Sequence, residues 1–543
     1  MSKIGGNKIL FLILLTAAFL RLWSLGSGDI LGDEVLYSFR AIGMLDFDNA
    51  EFQTTPLQWW DPNVPSWVGL SFHDHPPLVF LTQNFFMNIF GESSWAFRLP
   101  SAILGTVSAY LLYLIGRRLF NRNCGLIAAA LFAATVNHVF ISRMGLQESY
   151  VIFFILLTTL FFLKSLENKK YFIWLGVAVG LGLLTKYTTV IAPIIFATYL
   201  LLFRRDFLKS KFLWLGVALS MLIFSPVIIY NIQLYRSVGH FDFQLSYIFS
   251  QNPEVWKTAP GKEEIGTITD RLRNFLPNLF NSNSWPLLII FTVSLFFLRQ
   301  RFLIIALVAT AGLFLIIGPT TRFLTMLTPW IVLSLASMLT KISRRWLIGA
   351  VLVFEILYSV NSQVFNYPLG RSPWLYSKVR NENYHWGYNE LDSYLEKELA
   401  GQYPALAFEM RYHFLKEVQD LELENAAKSG LKSRPAMIVY DGNFLSAPAQ
   451  WIFDRRQIYH GWPVMKAADY RKIIAENGTE YFSRAGIGEI YFAAVTANTP
   501  LNKKGLTDDG VLLEQEFLTK GIFPEAVYNE REEAVFRIYK ITI

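Results

Sequence analysis

The sequence predicts a polytopic α-helical membrane protein followed by an α/β domain. Four observations carry that reading. Of 543 residues, 53% are hydrophobic, 16% aromatic and only 17% charged, against about 25% charged in ordinary soluble domains. The mean hydropathy is +0.33 over the whole length. Apolar runs approaching the ~20 residues that cross a bilayer as a helix recur as far as residue 364 and then stop. Basic residues, finally, gather in every second connection between those runs.

Taken in order, the predicted spans are 8–25, 98–119, 124–141, 147–163, 171–185, 188–203, 212–234, 285–298, 302–318, 323–340 and 346–364, about eleven in all. The first run has Lys3 and Lys8 ahead of an apolar stretch and small residues behind it, as a signal peptide would. The many spans that follow favour a retained anchor instead.

The basic connections hold Arg117, Arg118 and Arg122; Lys164, Lys169 and Lys170; Arg204, Arg205, Lys209 and Lys211; Arg299 and Arg301; and Lys341, Arg344 and Arg345. Positive charge marks the cytoplasmic side. The loops 26–97 and 235–284 and everything after about 365 are therefore expected outside the cytoplasm. This gives a transmembrane domain over 1–364, with interfacial helices in its outer loop 26–97. A soluble extracytoplasmic α/β domain follows over 365–543, and the whole is a multi-pass protein of the plasma (inner) membrane. Within the second domain "NELDSYLEKELAGQ" reads as a helix, and "PAMIVYDG" and "GEIYFAAVT" as strands. The net charge of +7 sits largely in the cytoplasmic loops and does not mark a nucleic-acid partner. The single cysteine, Cys124, excludes an intrachain disulfide and a cysteine-rich metal site.

The scarce polar chemistry collects at the outer face. Asp33 and Glu34 follow span one, and "SFHDHPPLVF" places His73, Asp74 and His75 further along the same loop. "ISRMGLQESY" brings Arg143 and Glu148, "LLTKYTTV" brings Lys186, and "GPTTRFLTMLTP" brings Arg322. Ionisable groups at membrane depth are costly and mark functional sites by default.

Plainer readings exist for each. The three cations could snorkel to headgroups, and Asp33 could cap a helix. That helix would be interfacial, since Leu36, Phe39, Ile42 and Leu45 recur every third residue. Pro76 and Pro77 could simply open the helix at Leu78, and "LVFLTQNFFMNIF" is too short to cross, so it is expected along the interface. Jointly, carboxylates and isolated cations at one face suit a substrate whose phosphate is anchored in lipid. Arg and Lys bind phosphate through charge-assisted hydrogen bonds, and a carboxylate can act as general base for a hydroxyl.

Asp74, His75 and His240 are also ligands by type for a divalent cation. The competing functional class is a transporter or flippase of lipid-linked sugars, although such folds usually show paired repeats meeting near the midplane. Trp451, Tyr459 and Trp462 could stack on sugars or simply fill a core.

The ordered segments "GDEVLYSFRAIGML", "HDHPPLVFL", "FGESSWAFRLPSAILG", "SRMGLQESYVIFF", "GLGLLTKYTTV" and "TRFLTMLTP" resemble the GT-C membrane glycosyltransferases. More narrowly, they are similar to the branch of protein O-mannosyltransferases and lipid A aminoarabinose transferases. The resemblance covers roughly residues 8–365. It implies a polyprenyl-phosphate-linked monosaccharide as donor, with transfer to a glycan, lipid or protein acceptor on the outer face. It implies Asp33, with Glu34, as catalytic base or positioner of the acceptor. Asp74, His75, Arg143, Glu148, Lys186 and Arg322 would then bind donor phosphate or substrate. Histidine stands at 75 where the aminoarabinose branch has a lysine, and Glu148 where the family's usual acid is aspartate.

Overall fold

The structure is a computed structural model that describes residues 3–30, 32–43, 75–249, 251, 266–342, 345–379, 385–406, 413–496 and 508–543. The chain divides into two compact units, one of residues 1–26 and 44–382, the other of 27–43 and 383–543. These bounds differ from the division read at 364/365. The stretch 365–382 goes with the helices, and part of the first outer loop goes with the C-terminal domain.

The first unit is helical, and a helix lies at every predicted span, although several are shorter than expected. By length and composition, four helices among the described residues can cross a membrane: Ser94–Leu119, Glu148–Ser165, Lys211–Ile232 and Trp346–Val364. Arg122–Ala134 and Val136–Arg143, bent by 59° at their junction, make a fifth if taken together. Tyr171–Leu183 has 13 residues, about 20 Å of helix against a hydrocarbon core of about 30 Å. The helix gives way to a turn there, and that turn carries Lys186.

Local chemistry sets many of the boundaries. Ser93, Asn121, Ser284 and Gln300 each accept a backbone N–H of the helix that follows, removing one of the donors a helix start leaves unpaired. Tyr171–Leu183 and Lys211–Val238 cross where two glycines meet. A Cβ on Gly176 would stand 2.0 Å from the Gly216 carbonyl oxygen, so only the bare backbone permits this approach. Trp330, fully buried, anchors a core in which Phe162 stacks on Phe196 at 4.4 Å.

The second unit holds a five-stranded mixed sheet and a two-stranded parallel pair. The strands are β1 Gln402–Pro404, β2 Lys432–Arg434, β3 Ala436–Tyr440, β4 Val464–Lys466, β5 Glu489–Val495, β6 Glu525–Tyr528 and β7 Ala534–Thr542. The larger sheet runs β4-β3-β5-β7-β6; β3 is parallel to β4 and β5, and β7 antiparallel to β5 and β6. Every residue of β3 is buried, as expected of an inner strand covered on both faces.

Helix Tyr388–Leu399 buries Tyr388, Leu391, Leu395 and Leu399, a three-to-four-residue repeat that lays one face on the core. Its first turn is tied to the first outer loop. Asp29 accepts the N–H groups of Trp386 (2.7 Å) and Asn389 (2.9 Å), and the Asn389 amide donates to the Ser27 and Gly28 carbonyls. A carboxylate at a helix start satisfies free N–H groups and the positive dipole end together. Residues 27–43 belong to this unit for that reason.

Candidate active site

The helical unit gathers three of the predicted residues around one oxygen. Glu148 is the first residue of helix Glu148–Ser165 and is fully buried. Its Oε1 accepts from Lys186 Nζ at 2.8 Å and lies 3.1 Å from Arg322 Nε. Both cations come from breaks between short helices. Lys186 is extended (φ −166°, ψ 142°) between Leu184 and the turn Tyr187–Val190. Arg322 follows the Gly318–Pro319 interruption and precedes the turn Phe323–Leu327. The Phe323 ring lies under both, 4.7 Å from Lys186 Nζ and 5.4 Å from the Arg322 guanidinium. A carboxylate repels phosphate, so Glu148 suits alignment of the two cations better than contact with an anionic substrate.

His75 is buried, edge-on to Phe80 at 6.4 Å, and leads through Pro76 and Pro77 into helix Leu78–Phe90. That helix is stitched to the loops carrying the cluster. The Leu78 N–H donates to the Leu184 carbonyl at 2.9 Å, two residues before Lys186. The Gln83 amide donates to the Gly145 carbonyl at 2.8 Å, three residues before Glu148. These two hydrogen bonds join the helix to the loops from which Glu148 and Lys186 project. His73 and Asp74 lie outside the described residues.

Two further predicted residues of the helical unit have partners of their own. Arg143 gives its terminal nitrogens to the Leu20, Trp23 and Ser24 carbonyls at the end of the first helix. His240 is buried, with Nδ1 2.7 Å from the Phe241 carbonyl oxygen. Among the described residues no group of three or more His, Cys, Asp or Glu side chains is placed to hold a metal ion.

Asp33 and Glu34 open helix Asp33–Gly43 of the second unit, Asp33 exposed and Glu34 fully buried. Val35, Tyr37, Phe39 and Ala41 are buried along with Glu34 and Arg40. The helix packs on the segments Ser446–Ala449, Gln450–Asp454 and Arg455–His460, and Tyr459 donates its hydroxyl to the Phe39 carbonyl at 2.7 Å. Trp451, Tyr459 and Trp462 are all core residues of the second unit. Trp451 donates to Asp392 and lies under the Arg455 guanidinium.

Sequence reasoning missed Asp242, Arg21 and His138. Asp242 accepts from the Tyr187 hydroxyl and, at 2.9 Å, from the Asn231 amide, which pins the end of helix Lys211–Val238 to the turn beside Lys186. The sequence signal for Asp242 is a lone acid in "GHFDF", two residues after His240. Arg21 and His138 lay inside spans read as apolar.

The helical unit, with several apolar helices long enough to cross a membrane, holds this cluster, and comparisons with known proteins show what the chain is similar to. The family profile described as dolichyl-phosphate-mannose-protein mannosyltransferase matches residues 74–230, the stretch containing His75, Arg143, Glu148 and Lys186. In Bacillus subtilis (strain 168), "Putative mannosyltransferase YkcB" is 29% identical over 226 residues, 39% of this chain and 29% of that protein. "Putative mannosyltransferase YycA" of the same strain is 28% identical over 223 residues, 40% of this chain and 30% of its own. The matched stretch thus spans less than a third of either relative. Among solved structures, ArnT from Cupriavidus metallidurans, both in the apo state and bound to undecaprenyl phosphate, is similar over 99% of this chain and 98% of its own. The TM-score is 0.52 at 14% identity, which shows a shared fold.

Proposed function

We propose that this protein is an inverting glycosyltransferase that moves a monosaccharide from a polyprenyl-phosphate donor to a hydroxyl acceptor on the outer face of the plasma membrane. About eleven spans carry the catalytic domain, and the α/β domain is extracytoplasmic. The observation that supports the reading most is the Glu148–Lys186–Arg322 cluster at three helix breaks, with Glu148 and Lys186 buried and inside the stretch matched by the mannosyltransferase profile. The structural neighbour bound to undecaprenyl phosphate supports the class of donor.

In this reading Asp33, assisted by Glu34, takes the proton of an acceptor hydroxyl as its oxygen attacks the sugar C1. The C1–O bond to phosphate breaks, and polyprenyl phosphate leaves with the bonding pair. Lys186 and Arg322 stabilise the charge that grows on the leaving phosphate, which lowers the barrier because the interaction strengthens towards the transition state. Asp74 and His75 are the further donor-binding residues of this reading.

The test compares polyprenyl-phosphate lipids by mass spectrometry in native cells carrying the wild type or Asp33→Asn. Build-up of one lipid-linked sugar on the outer leaflet of the variant is expected and would name the donor. Unchanged lipids, with the variant present in the membrane, would remove Asp33 from the chemistry. Build-up confined to the inner leaflet would make the protein a flippase.

A further inference from the structure

The helix that breaks at Thr135 is unusual in how it ends. A break at membrane depth strips the last carbonyls of the first half of their partners, and lipid offers none in return. Here all four are taken by side chains. Thr135 Oγ1 donates to the Leu131 carbonyl at 2.7 Å, and Ser359 Oγ to that of Ala134 at 2.5 Å. Arg21, buried in the last turn of the first helix, supplies the other two, reaching Phe132 at 3.3 Å and Ala133 at 2.9 Å. Its Nη2 also lies 2.8 Å from His138 Nδ1.

The same arrangement recurs in reverse. Arg143 ends the second half of the broken helix, and its guanidinium reaches the carbonyls of Leu20 (3.2 Å), Trp23 (2.7 Å) and Ser24 (3.3 Å). The next two carbonyls are held as well, Leu25 by Arg98 at 3.2 Å and Gly26 by Ser94 at 2.9 Å. Gly105 lets these parts close up, since a Cβ there would stand 2.2 Å from Ser142 Oγ and 3.1 Å from Arg21 Nε.

We infer that Arg21 and Arg143 form a reciprocal clasp, each guanidinium capping the helix end that belongs to the other's segment. Both act as positioning residues for the Glu148 cluster, and Arg143 is not a ligand of the donor phosphate. The angle at Thr135 sets the direction of Val136–Arg143, and only Met144–Gln147 separate Arg143 from Glu148. Fixing the clasp therefore fixes the carboxylate to which Lys186 and Arg322 are joined. A planar fork spans neighbouring carbonyls in a way that the single point charge of lysine does not.

The functional part rests on the glycosyl-transfer reading, so the test has two arms. In the first, initial rates with a polyprenyl-phosphate sugar are measured for Arg21→Gln, Arg143→Gln, the double variant and both lysine variants. Each glutamine variant should lower kcat by about tenfold or more, the scale on which misplacement of reacting groups acts. The donor KM should stay within about twofold, lysine should restore little, and the double should be no worse than the poorer single. A raised donor KM in Arg143→Gln alone, multiplying losses, or wild-type kcat in every variant would overturn the clasp as a positioning device. Should Arg21→Gln fail to insert, Arg21→Lys carries the same comparison.

The second arm is thermal unfolding of the same set. Stability losses that fail to add support the clasp, and additive losses overturn it. Absence of transfer by the wild type would sink the glycosyl-transfer reading alone and leave this arm to decide the clasp.

Discussion

Neutralising Glu148 separates its role from that of a substrate ligand. In Glu148→Gln the shape is kept and the charge is lost. Lys186 Nζ and Arg322 Nε lie 2.8 and 3.1 Å from the same oxygen, so they are at most the sum of those distances apart. At roughly 6 Å, with an effective dielectric of about 20, two unit charges repel by roughly 3 kcal/mol. The carboxylate masks that repulsion in the wild type. Arg322 is partly exposed, which trims the figure, while loss of the buried attraction adds to it. Breaking one partner of a buried pair costs about 3–5 kcal/mol in general, and the lower end of that range is expected here. Glu148→Gln combined with Lys186→Met removes one cation as well and should recover most of the loss. The sole cysteine, Cys124, is buried in the helical unit, so a thiol-reactive dye reports unfolding of that unit directly. Equal stability of wild type and Glu148→Gln, or a double variant less stable than the single, would refute the argument that Glu148 holds the cations together.

Two further outcomes follow from the geometry. Gly105→Ala should lower both stability and turnover, because its Cβ would stand 2.2 Å from Ser142 Oγ; thermal unfolding and kcat of the purified variant check this, and a neutral result would show that the clasp tolerates displacement. In the sheet unit, burial pushes the Asp454 carboxyl up to about 6, with Lys466 opposing the shift, while an unfolded aspartate titrates near about 4. The folded state therefore holds more protons between those values, and stability falls as pH rises through that window. Asp454→Asn should abolish that part of the fall, measured as the slope of unfolding free energy against pH; an unchanged slope would reject the assignment.

The helices were legible because they rest on long apolar runs, and the two strands and the helix predicted in the second unit because they rest on short ones. Helix lengths were less so. Tyr171–Leu183 and Trp285–Leu295 stop early, and composition alone does not show where a helix yields to a turn. The Glu148–Lys186–Arg322 cluster was legible as isolated charges in apolar loops, although not as one cluster, since the three residues lie far apart in sequence and only packing joins them. The placement of 27–43 with the C-terminal domain was not legible. It depends on Asp29 meeting the Trp386 and Asn389 N–H groups, a pairing no local pattern announces. The three-residue repeat from Leu36 includes Phe39, which is buried, but gave no sign that Glu34, Val35, Tyr37 and Arg40 would be buried as well.

Arg143 illustrates why charge at membrane depth is an ambiguous sign. The cost of burying a cation in lipid is real, so its presence demands a compensating partner, yet phosphate is only one candidate. A helix end is another, since its carbonyls carry partial negative charge and in hydrocarbon have no water to turn to. Lys186 and Arg322 meet a carboxylate at helix starts, where an anion is favoured, whereas Arg21 and Arg143 meet carbonyls at helix ends, where a cation is favoured. The helix terminus facing each cation thus sorts the four residues into two kinds. Lys186 and Arg322 face a side-chain carboxylate, and Arg21 and Arg143 are already committed to the backbone. A broken helix in a membrane needs the second kind before it can place the first.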